Sequence, residues 1–409
     1  MQHFEDVQKV LKDIYSPVIV NQVPKISPLY SFFEKKTAPF AGKQFIIPLQ
    51  LTYTESVGAR AAGDYTLPEA QKITYDQSYI KVKKIYGRVA IDGLAMKSSE
   101  GRGGWVDLMT NEIKGATNAF AVDLDRQLLC GGKGILGVVK NAIGTTPQNY
   151  VEIKNPGGNA NDTDTNVTKF FRKGMVISFE SAPTVKYTIT DVNPSQERIV
   201  VSPDVSNLAA NTNIYRHGVY SSTADDIGEI MGIDGIVSAG NAPGTLHFQG
   251  IDATACREWQ SYVDSSTTTF SELAIQEALD AMELLSAGDP PSLVITTPFV
   301  RNKLLTALQA KRMLDTVNYT AGWKAIKYVG GAVELPFFVH PKCPKGYVYF
   351  LSPNHIKLYT LLPLTWDDKN GGIIKGVAGS DSYEAWFKTY INLGTDCRNA
   401  HGKLTKITS

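Results

Sequence analysis

The sequence is poor in the groups that carry chemistry or staple a fold. Its 409 residues include four cysteines, Cys130, Cys256, Cys343 and Cys397. They are too few and too far apart for a disulfide framework, and they match thiol usage in a reduced compartment. An excess of one charge is missing too: 41 Lys and Arg stand against 40 Asp and Glu, a net charge of +1. No bulk field therefore draws the chain to nucleic acid or to an anionic membrane, and any DNA nearby is not gripped by overall charge. No stretch approaches the roughly 20 apolar residues that a membrane-spanning helix needs. The opening MQHFEDVQKVLKDIY is charged and lacks the apolar core of a signal sequence. The expectation is synthesis and retention in a cytoplasm, with release by lysis and no membrane partner. Internal repeats are absent. So are a Gly-x-Ser-x-Gly elbow, a His-Glu-x-x-His helix and a dinucleotide fingerprint. What remains is ordinary globular composition, 43% hydrophobic and 20% charged, in a chain long enough for two or three domains.

The strongest pattern runs from Trp105 to Cys130, WVDLMTNEIKGATNAFAVDLDRQLLC. Trp105, Met109, Ile113, Ala116, Phe120, Leu124 and Leu128 recur at spacings of three and four, one face of a helix. Asn111, Lys114, Asn118 and Asp125 fall on the other face. No proline interrupts it, and Gly131-Gly132 supply a left-handed stop. At 1.5 Å per residue the helix is about 35–40 Å long.

Ahead of it, Phe4 to Tyr15 reads as a short amphipathic helix. Ser16 to Lys43 carries Pro17, Pro24, Pro28 and Pro39 among scattered apolar residues. That spacing forbids a continuous helix, and the aromatic content is too high for a free linker. It reads as an extended arm, lying either on its own domain or on a neighbouring subunit. Lys43–Tyr53 and Lys72–Ile91 then read as two long strands around the small-residue tip ESVGARAAGDYTLPEA. A two-stranded ribbon is marginal in water, so this hairpin needs a partner surface or a place in a larger sheet.

Beyond the helix, Asn155 to Thr168 is polar and glycine-rich, the composition of a boundary. Short strand candidates follow at 175–179, 186–190, 198–202 and 213–220, the signature of a small barrel or sandwich. The last third alternates. Thr269-Phe270-Ser271-Glu272 is a capping box before a helix over 271–286. A strand over 292–297 and a helix from Pro298 to about Lys311 come next. Strands follow at 325–329, 334–339, 347–351 and around 356–362, then one over 384–393 and a mixed polar tail.

Several constellations compete for chemistry. GGKG (131–134) follows a helix, whereas a phosphate loop follows a strand and needs wider glycine spacing, so that function is rejected. His340 and Cys343, with Cys397 and His401, form an allowed zinc set on paper. The alternative is two buried thiols and two surface histidines. Asp123/Asp125 and Asp225/Asp226 are pairs of the kind that more often cap or solvate than catalyse, and Asp123 and Asp125 point to different faces of the helix. No catalytic residue, metal or cofactor is assigned.

The order of these elements resembles the major capsid proteins of tailed bacteriophages with the Hong Kong 97-type fold, which is shared by encapsulin shells. Trp105–Cys130 resembles the family's spine helix. Its close, DLDRQLLCGGKGILGVV, is similar to the family's acidic helix end, leucine pair, glycine turn and Gly-Ile-Leu. DPPSLVITTPFVRNKLLTAL with VELPFFVHPKCPKGYVYFLSPNHIKLY resembles the axial core, and DSYEAWFKTYINLG the peripheral return strand. The resemblance covers about three quarters of the chain. It implies an α+β fold with a small all-β insertion domain. The parts are an N-terminal helix and arm (1–41), an E-loop hairpin (42–91) and a peripheral domain with the spine helix (92–154). An insertion (155–220), a connecting segment (221–268), an axial domain (269–375) and a peripheral return strand with tail (376–409) follow.

The resemblance further implies a non-enzymatic subunit that assembles into hexamers and pentamers of an icosahedral virion capsid around double-stranded DNA, built in the host cytoplasm. The alternatives are an encapsulin-type shell and a β-rich soluble enzyme or binding protein. The implied partners are further copies of the chain, a portal protein, a decoration protein and DNA contacted without sequence preference. Because the arm begins within a few turns of Met1, a separate scaffolding protein is also expected. Subunit contacts are expected at Arg60, Tyr65, Lys72, Lys81 and Lys83 of the hairpin and at Phe32, Phe33 and Phe40 of the arm. Some members join an E-loop lysine to a neighbour's asparagine with a glutamate as base. Here Lys72, Lys81, Lys83 and Lys84 occupy that loop, and none matches a motif.

Overall fold

The structure is a computed structural model. It describes residues 29, 33–37, 43–64, 66–95, 108–155, 167–221, 228–241, 247–286, 289–309, 316–318, 324–330, 333–367 and 374–408. The helix expected over 4–15 and most of the arm lie outside these residues. The chain divides into two compact units. One comprises Met1–Ile26, Tyr86–Asp123 and Leu364–Lys388, and the other Ser27–Ile85, Leu124–Pro363 and Thr389–Ser409.

The larger unit begins with Leu29 and Phe33, which are 0% and 3% exposed and belong to its principal core. Strand β1 (Glu34–Thr37) follows. The hairpin then forms from β2 (Phe45–Gln50) and β3 (Tyr75–Ile80), paired antiparallel from Phe45↔Ile80 to Gln50↔Tyr75. The expected second strand, Lys72–Ile91, is in fact two. It breaks after Ile80 and resumes as β4 (Lys83–Asp92). The physical reason is a change of partner: the Lys81 carbonyl accepts a bond from Asn392 Nδ2 at 2.7 Å instead of continuing the ladder.

The long helix is Leu108–Leu129, 22 residues and about 33 Å at 1.5 Å per residue. Gly132 follows with φ +74°, a left-handed conformation that suits glycine at a helix exit. Its last five residues, Asp125 to Leu129, are all buried, not just one stripe of them. Asp125, placed on the polar face by spacing, is consequently 4% exposed.

A closed barrel comes next, from β5 (Ile135–Val139), β6 (Gln148–Lys154), β7 (Val176–Phe179), β8 (Ala182–Asn193), β9 (Arg198–Val205) and β10 (Asn213–Arg216). The strands close in the order β10-β5-β6-β9-β8-β7. Alternate side chains fill it: Val151 and Ile153, Ile177 and Phe179, Ile199 and Val201, and Ile214 all belong to one core cluster. Two of the six strands precede Asn155, where linker composition places the insertion's start, so the polar stretch falls between β6 and β7. Closure requires every edge to be paired, and β5 and β6 supply the edges that the later strands lack.

The rest of the larger unit is built on a seven-stranded sheet. Its strands are β11 (Tyr262–Asp264), β12 (Leu293–Thr296), β13 (Thr316–Asn318), β14 (Lys324–Gly330), β15 (Val333–Val339), β16 (Val348–Leu351) and β20 (Gly402–Leu404). They lie in the order β11-β20-β16-β12-β15-β14-β13. The central strands are buried on both faces. On β12, Val294 enters one core with Ile275, Leu279, Met282 and Phe337, while Leu293 and Ile295 enter the other with Tyr349, Leu351 and Leu128. Helix Glu272–Leu285 starts one residue after the N-cap Ser271, whose Oγ accepts from the amide of Ala274 at 3.2 Å. The cap is therefore Ser271 and not Thr269 of the expected box. Helix Pro298–Gln309 follows β12. The polar tail is not peripheral to this sheet: β20 lies between β11 and β16.

The smaller unit is a sheet packed with aromatic rings. It takes in parts of β4, β17 (Ile356–Trp366) and β19 (Ser382–Thr395), with β18 (Lys375–Gly376) paired to β19. Phe387 meets Phe120 of the long helix edge-on at 5.3 Å and Trp366 at 5.0 Å. Asp367 accepts from Lys375 at 2.5 Å and Lys388 at 2.7 Å, and Arg88 pairs with Glu384 at 2.5 Å. Back in the larger unit, β1 runs parallel to β17 over Glu34↔Lys357 to Thr37↔Thr360.

Candidate functional site: the hairpin and the buried helix end

Past the β2–β3 ladder, the hairpin goes on without strand pairing. Braces hold its limbs instead. The amide of Leu51 donates to Thr74 O (2.9 Å), that of Thr74 to Thr52 Oγ1 (3.1 Å) and that of Gln71 to Ser56 Oγ (2.8 Å). At the tip, Arg60 Nε donates to Thr66 O at 2.8 Å. The amide and hydroxyl of Thr66 both donate to Asp64, which holds that carboxyl below its ordinary range. The limbs present large apolar side chains to solvent: Tyr53 is 77% exposed, Val57 88%, Leu67 87% and Tyr75 68%. A cluster of this kind on a ribbon with little core of its own is the mark of an interaction surface.

The expected contact residues fare differently. Arg60 is exposed but spends part of its donor set on its own tip. Lys72 and Lys81 are exposed, and Lys83 is half-buried at the start of β4. Phe33 is buried in the chain's own core. Tyr65, Phe32 and Phe40 lie outside the described residues. No motif in the sequence points to Tyr53, Val57, Leu67 and Tyr75; the signal available is isolated large apolar residues among polar and small ones in a segment with no opposing core.

A second constellation forms at the buried end of the long helix. Asp125 accepts from Lys342 Nζ at 3.0 Å and lies 3.1 Å from His340 Nε2. His340 Nδ1 accepts from the amide of Lys342 at 3.2 Å, so the ring proton sits on Nε2 and is donated to Asp125. Burial lowers the pKa of Lys342, and the Asp125 carboxylate works against that shift. Next to it, Arg126 makes a two-pronged pair with Glu229, both side chains being nearly inaccessible. Gln127 Oε1 accepts from the amide of Ile230 at 3.3 Å. Arg398, fully buried, donates to the carbonyls of Ile236 (2.7 Å), Trp259 (3.2 Å) and Gly235 (3.3 Å) and stacks 4.0 Å from the Phe248 ring. Burial lowers its pKa to about 9. These groups tie segments together, and all of them but the half-buried Lys342 are buried.

The paper zinc set does not converge. His340 and His401 are both 0% exposed, which corrects their expectation as surface histidines. His340 is committed to Asp125. His401 Nδ1 accepts from the amide of Ser352 at 3.2 Å, and its Nε2 meets Thr395 Oγ1 at 3.3 Å. Burial raises the Cys343 thiol well above its ordinary value, away from the thiolate that a metal needs. Among the described residues, no three His, Cys, Asp or Glu side chains gather in a metal-holding group.

No protein-family profile and no curated protein sequence matches the chain. Solved structures do. The capsid asymmetric unit of cyanophage A-1(L) is 11% identical, with a TM-score of 0.59 over 98% of this chain and 98% of that one. The holo-SrpI encapsulin complex from Synechococcus elongatus PCC 7942 is 10% identical, with a TM-score of 0.49 over 100% and 96%. The capsid of Myoviridae phage XM1 is 10% identical, with a TM-score of 0.48 over 97% of each chain. The chain has the Hong Kong 97-type capsid fold, matched to the cyanophage capsid over nearly its whole length.

Proposed function

We propose that this chain is the structural subunit of a tailed-phage capsid, self-assembling into hexamers and pentamers of an icosahedral shell around double-stranded DNA. The observation that carries this reading is the end-to-end match to the cyanophage capsid subunit, 98% of both chains at a TM-score of 0.59. The exposed apolar hairpin supports it, because those side chains gain burial only on another surface. In this reading residues 42–91 form the E-loop, and Arg60, Lys72 and Lys81 flank its contact with a neighbouring copy. Phe32 and Phe40 belong to the same set of subunit contacts, in the arm. A separate scaffolding protein guides assembly, a portal protein occupies one vertex, and a decoration protein and the packaged DNA complete the virion.

The test is to purify the chain with and without its scaffolding protein and to examine it by electron microscopy and sedimentation. Closed particles or capsomer rings of megadalton mass are expected. A monomer at all protein and salt concentrations, with no particles when the scaffold is present, overturns the reading. Nuclease-protected DNA inside particles from infected cells separates a phage shell from one that holds protein cargo.

A further inference from the structure

The hairpin leaves the body at Ser78. Tyr75, Asp76 and Gln77 are exposed, whereas Ser78 and Ile80 are 0% and 1% exposed. Two side chains from distant parts of the sequence meet it there. With its amide oriented to satisfy both ends, Gln249 donates to Thr395 O (2.9 Å) and accepts from Thr395 N (3.1 Å), pairing with the end of β19 as a neighbouring strand would. The same amide nitrogen also reaches Ser78 Oγ (2.8 Å). The main-chain carbonyl of Gln249 accepts from the amide of Tyr79 at 2.7 Å. To do this Gln249 adopts φ +52°, a left-handed conformation that is uncommon for a residue with a side chain. Asn392 completes the arrangement. Its Nδ2 donates to Lys81 O at 2.7 Å, and its Oδ1 accepts from Met231 N at 3.0 Å and from Leu393 N at 3.0 Å.

The body is also shaped to admit this stretch. A Cβ on Gly250 would sit 2.3 Å from Tyr79 Cδ2, and one on Gly394 2.4 Å from Ile80 Cδ1. At Gly250, whose φ is +88°, the contact is with a ring and bars any side chain, and at Gly394 a Cβ would force the end of Ile80 to move, so glycine at these two positions lets the strand lie close to its neighbours. Above this point, among the described residues, Leu49 packs against the principal core and the rest of the hairpin is held by its own ladder and braces. At and below it, bonds to Gln249 and Asn392 join the strand to the body.

We infer that Gln249 and Asn392 act as a clamp that fixes the direction in which the hairpin leaves the body and so presets it for capture by a second copy of the chain. This rests on the shell reading above. A ribbon held at its base loses less orientational freedom when its tip docks, which favours both binding and a single geometry. The strained Gln249 and the two glycines are what such a fixed exit requires. A freely pivoting hairpin would need neither.

The clean probes are Ser78→Ala and Asn392→Asp in the full chain. The first removes only the hydroxyl that Gln249 reaches and leaves the Gln249–Thr395 pairing intact. The second keeps the acceptor for Met231 and Leu393 but removes the donor to Lys81. Amide hydrogen exchange of the unassembled subunit reads the clamp directly. Exchange at Tyr79 through Lys81 is expected to rise at least tenfold in the double variant. Trypsin cleavage after Lys72 and Lys81 should speed up, and the melting temperature should stay within a few degrees of the parent. Under assembly conditions the variant should give open or mixed-diameter particles where the parent gives closed ones. Unchanged exchange at Tyr79–Lys81 overturns the clamp, whatever the particles look like. Faster exchange with closed particles of parental size and yield overturns its role in assembly and leaves the shell reading intact. Failure of the parent chain itself to assemble overturns the shell reading, and with it the docking role.

Discussion

His340 and Asp125, 215 residues apart in sequence, meet in the interior with Nε2 3.1 Å from Oδ2, and neither is accessible to solvent. Lys342 shares the same carboxylate. The helix end is thereby joined to the loop after β15 through one carboxylate serving two donors.

Asp125→Ala should cost about 1–3 kcal/mol, because it leaves the buried His340 N–H without its acceptor and takes a charged partner from the half-buried Lys342. Asp125→Asn should cost less, since its amide oxygen still accepts from His340. Urea denaturation of the unassembled subunit measures both. Equal costs for the two variants would mean that packing, not the carboxylate, matters there.

His401 makes the larger unit acid-sensitive. Burial, reinforced by the nearby His355 and Arg398 and opposed by Asp396, lowers its pKa to about 3. An unfolded histidine titrates near 6.5, so between those values the unfolded chain holds a proton that the folded one refuses. Stability from this group is complete above about pH 6.5 and falls by up to about 1.4 kcal/mol per pH unit until about pH 3. His401→Gln, which can still accept from the Ser352 amide, should flatten the dependence of urea midpoints between pH 7.5 and 5. A slope identical to the parent's would contradict the assignment.

The smaller unit should be intolerant of any side chain at Gly87. A Cβ there would lie 2.1 Å from Cζ of Phe387, the ring that meets Phe120 and Trp366 edge-on. Gly87→Ala should cost about 1–3 kcal/mol by overpacking. The displaced ring should also shift the Trp366 fluorescence. Unaltered melting and emission would show that the ring yields freely.

Deleting Ser56–Pro68 should leave circular dichroism and melting of the isolated subunit nearly unchanged, because none of the described residues of this tip belongs to the three core clusters. Assembly should fail or give fragile shells, as the exposed Val57 and Leu67 are lost with it. Arg60→Ala, which frees the Thr66 carbonyl at an exposed tip, should change stability by less than about 1 kcal/mol. Normal particles from the deletion would make the hairpin an ordinary internal ribbon.

The sequence by itself determined the elements whose signal is local. The long helix, the run of β12, helix, β15 and β16, and the short strands from Val176 onward follow from side-chain periods of 3.6 and 2, which a few neighbouring residues suffice to set. Their order was enough to indicate the fold. Tertiary structure decided what depends on residues far apart. Asp125 lies on the polar face by spacing, yet the helix is buried from Asp125 to Leu129, and that carboxylate is met by His340 and Lys342 from far along the chain. The polar tail carries too short a pattern to announce β20, which exists because β11 and β16 leave a place between them. The barrel takes in β5 and β6 because a closed sheet needs all its edges paired. The hairpin's second strand breaks at Lys81, past the end of the β2–β3 ladder, where Asn392, 311 residues away, donates to its carbonyl. Burial and hydrogen-bond partnership belong to the assembled chain, and no window of sequence contains both members of such a pair.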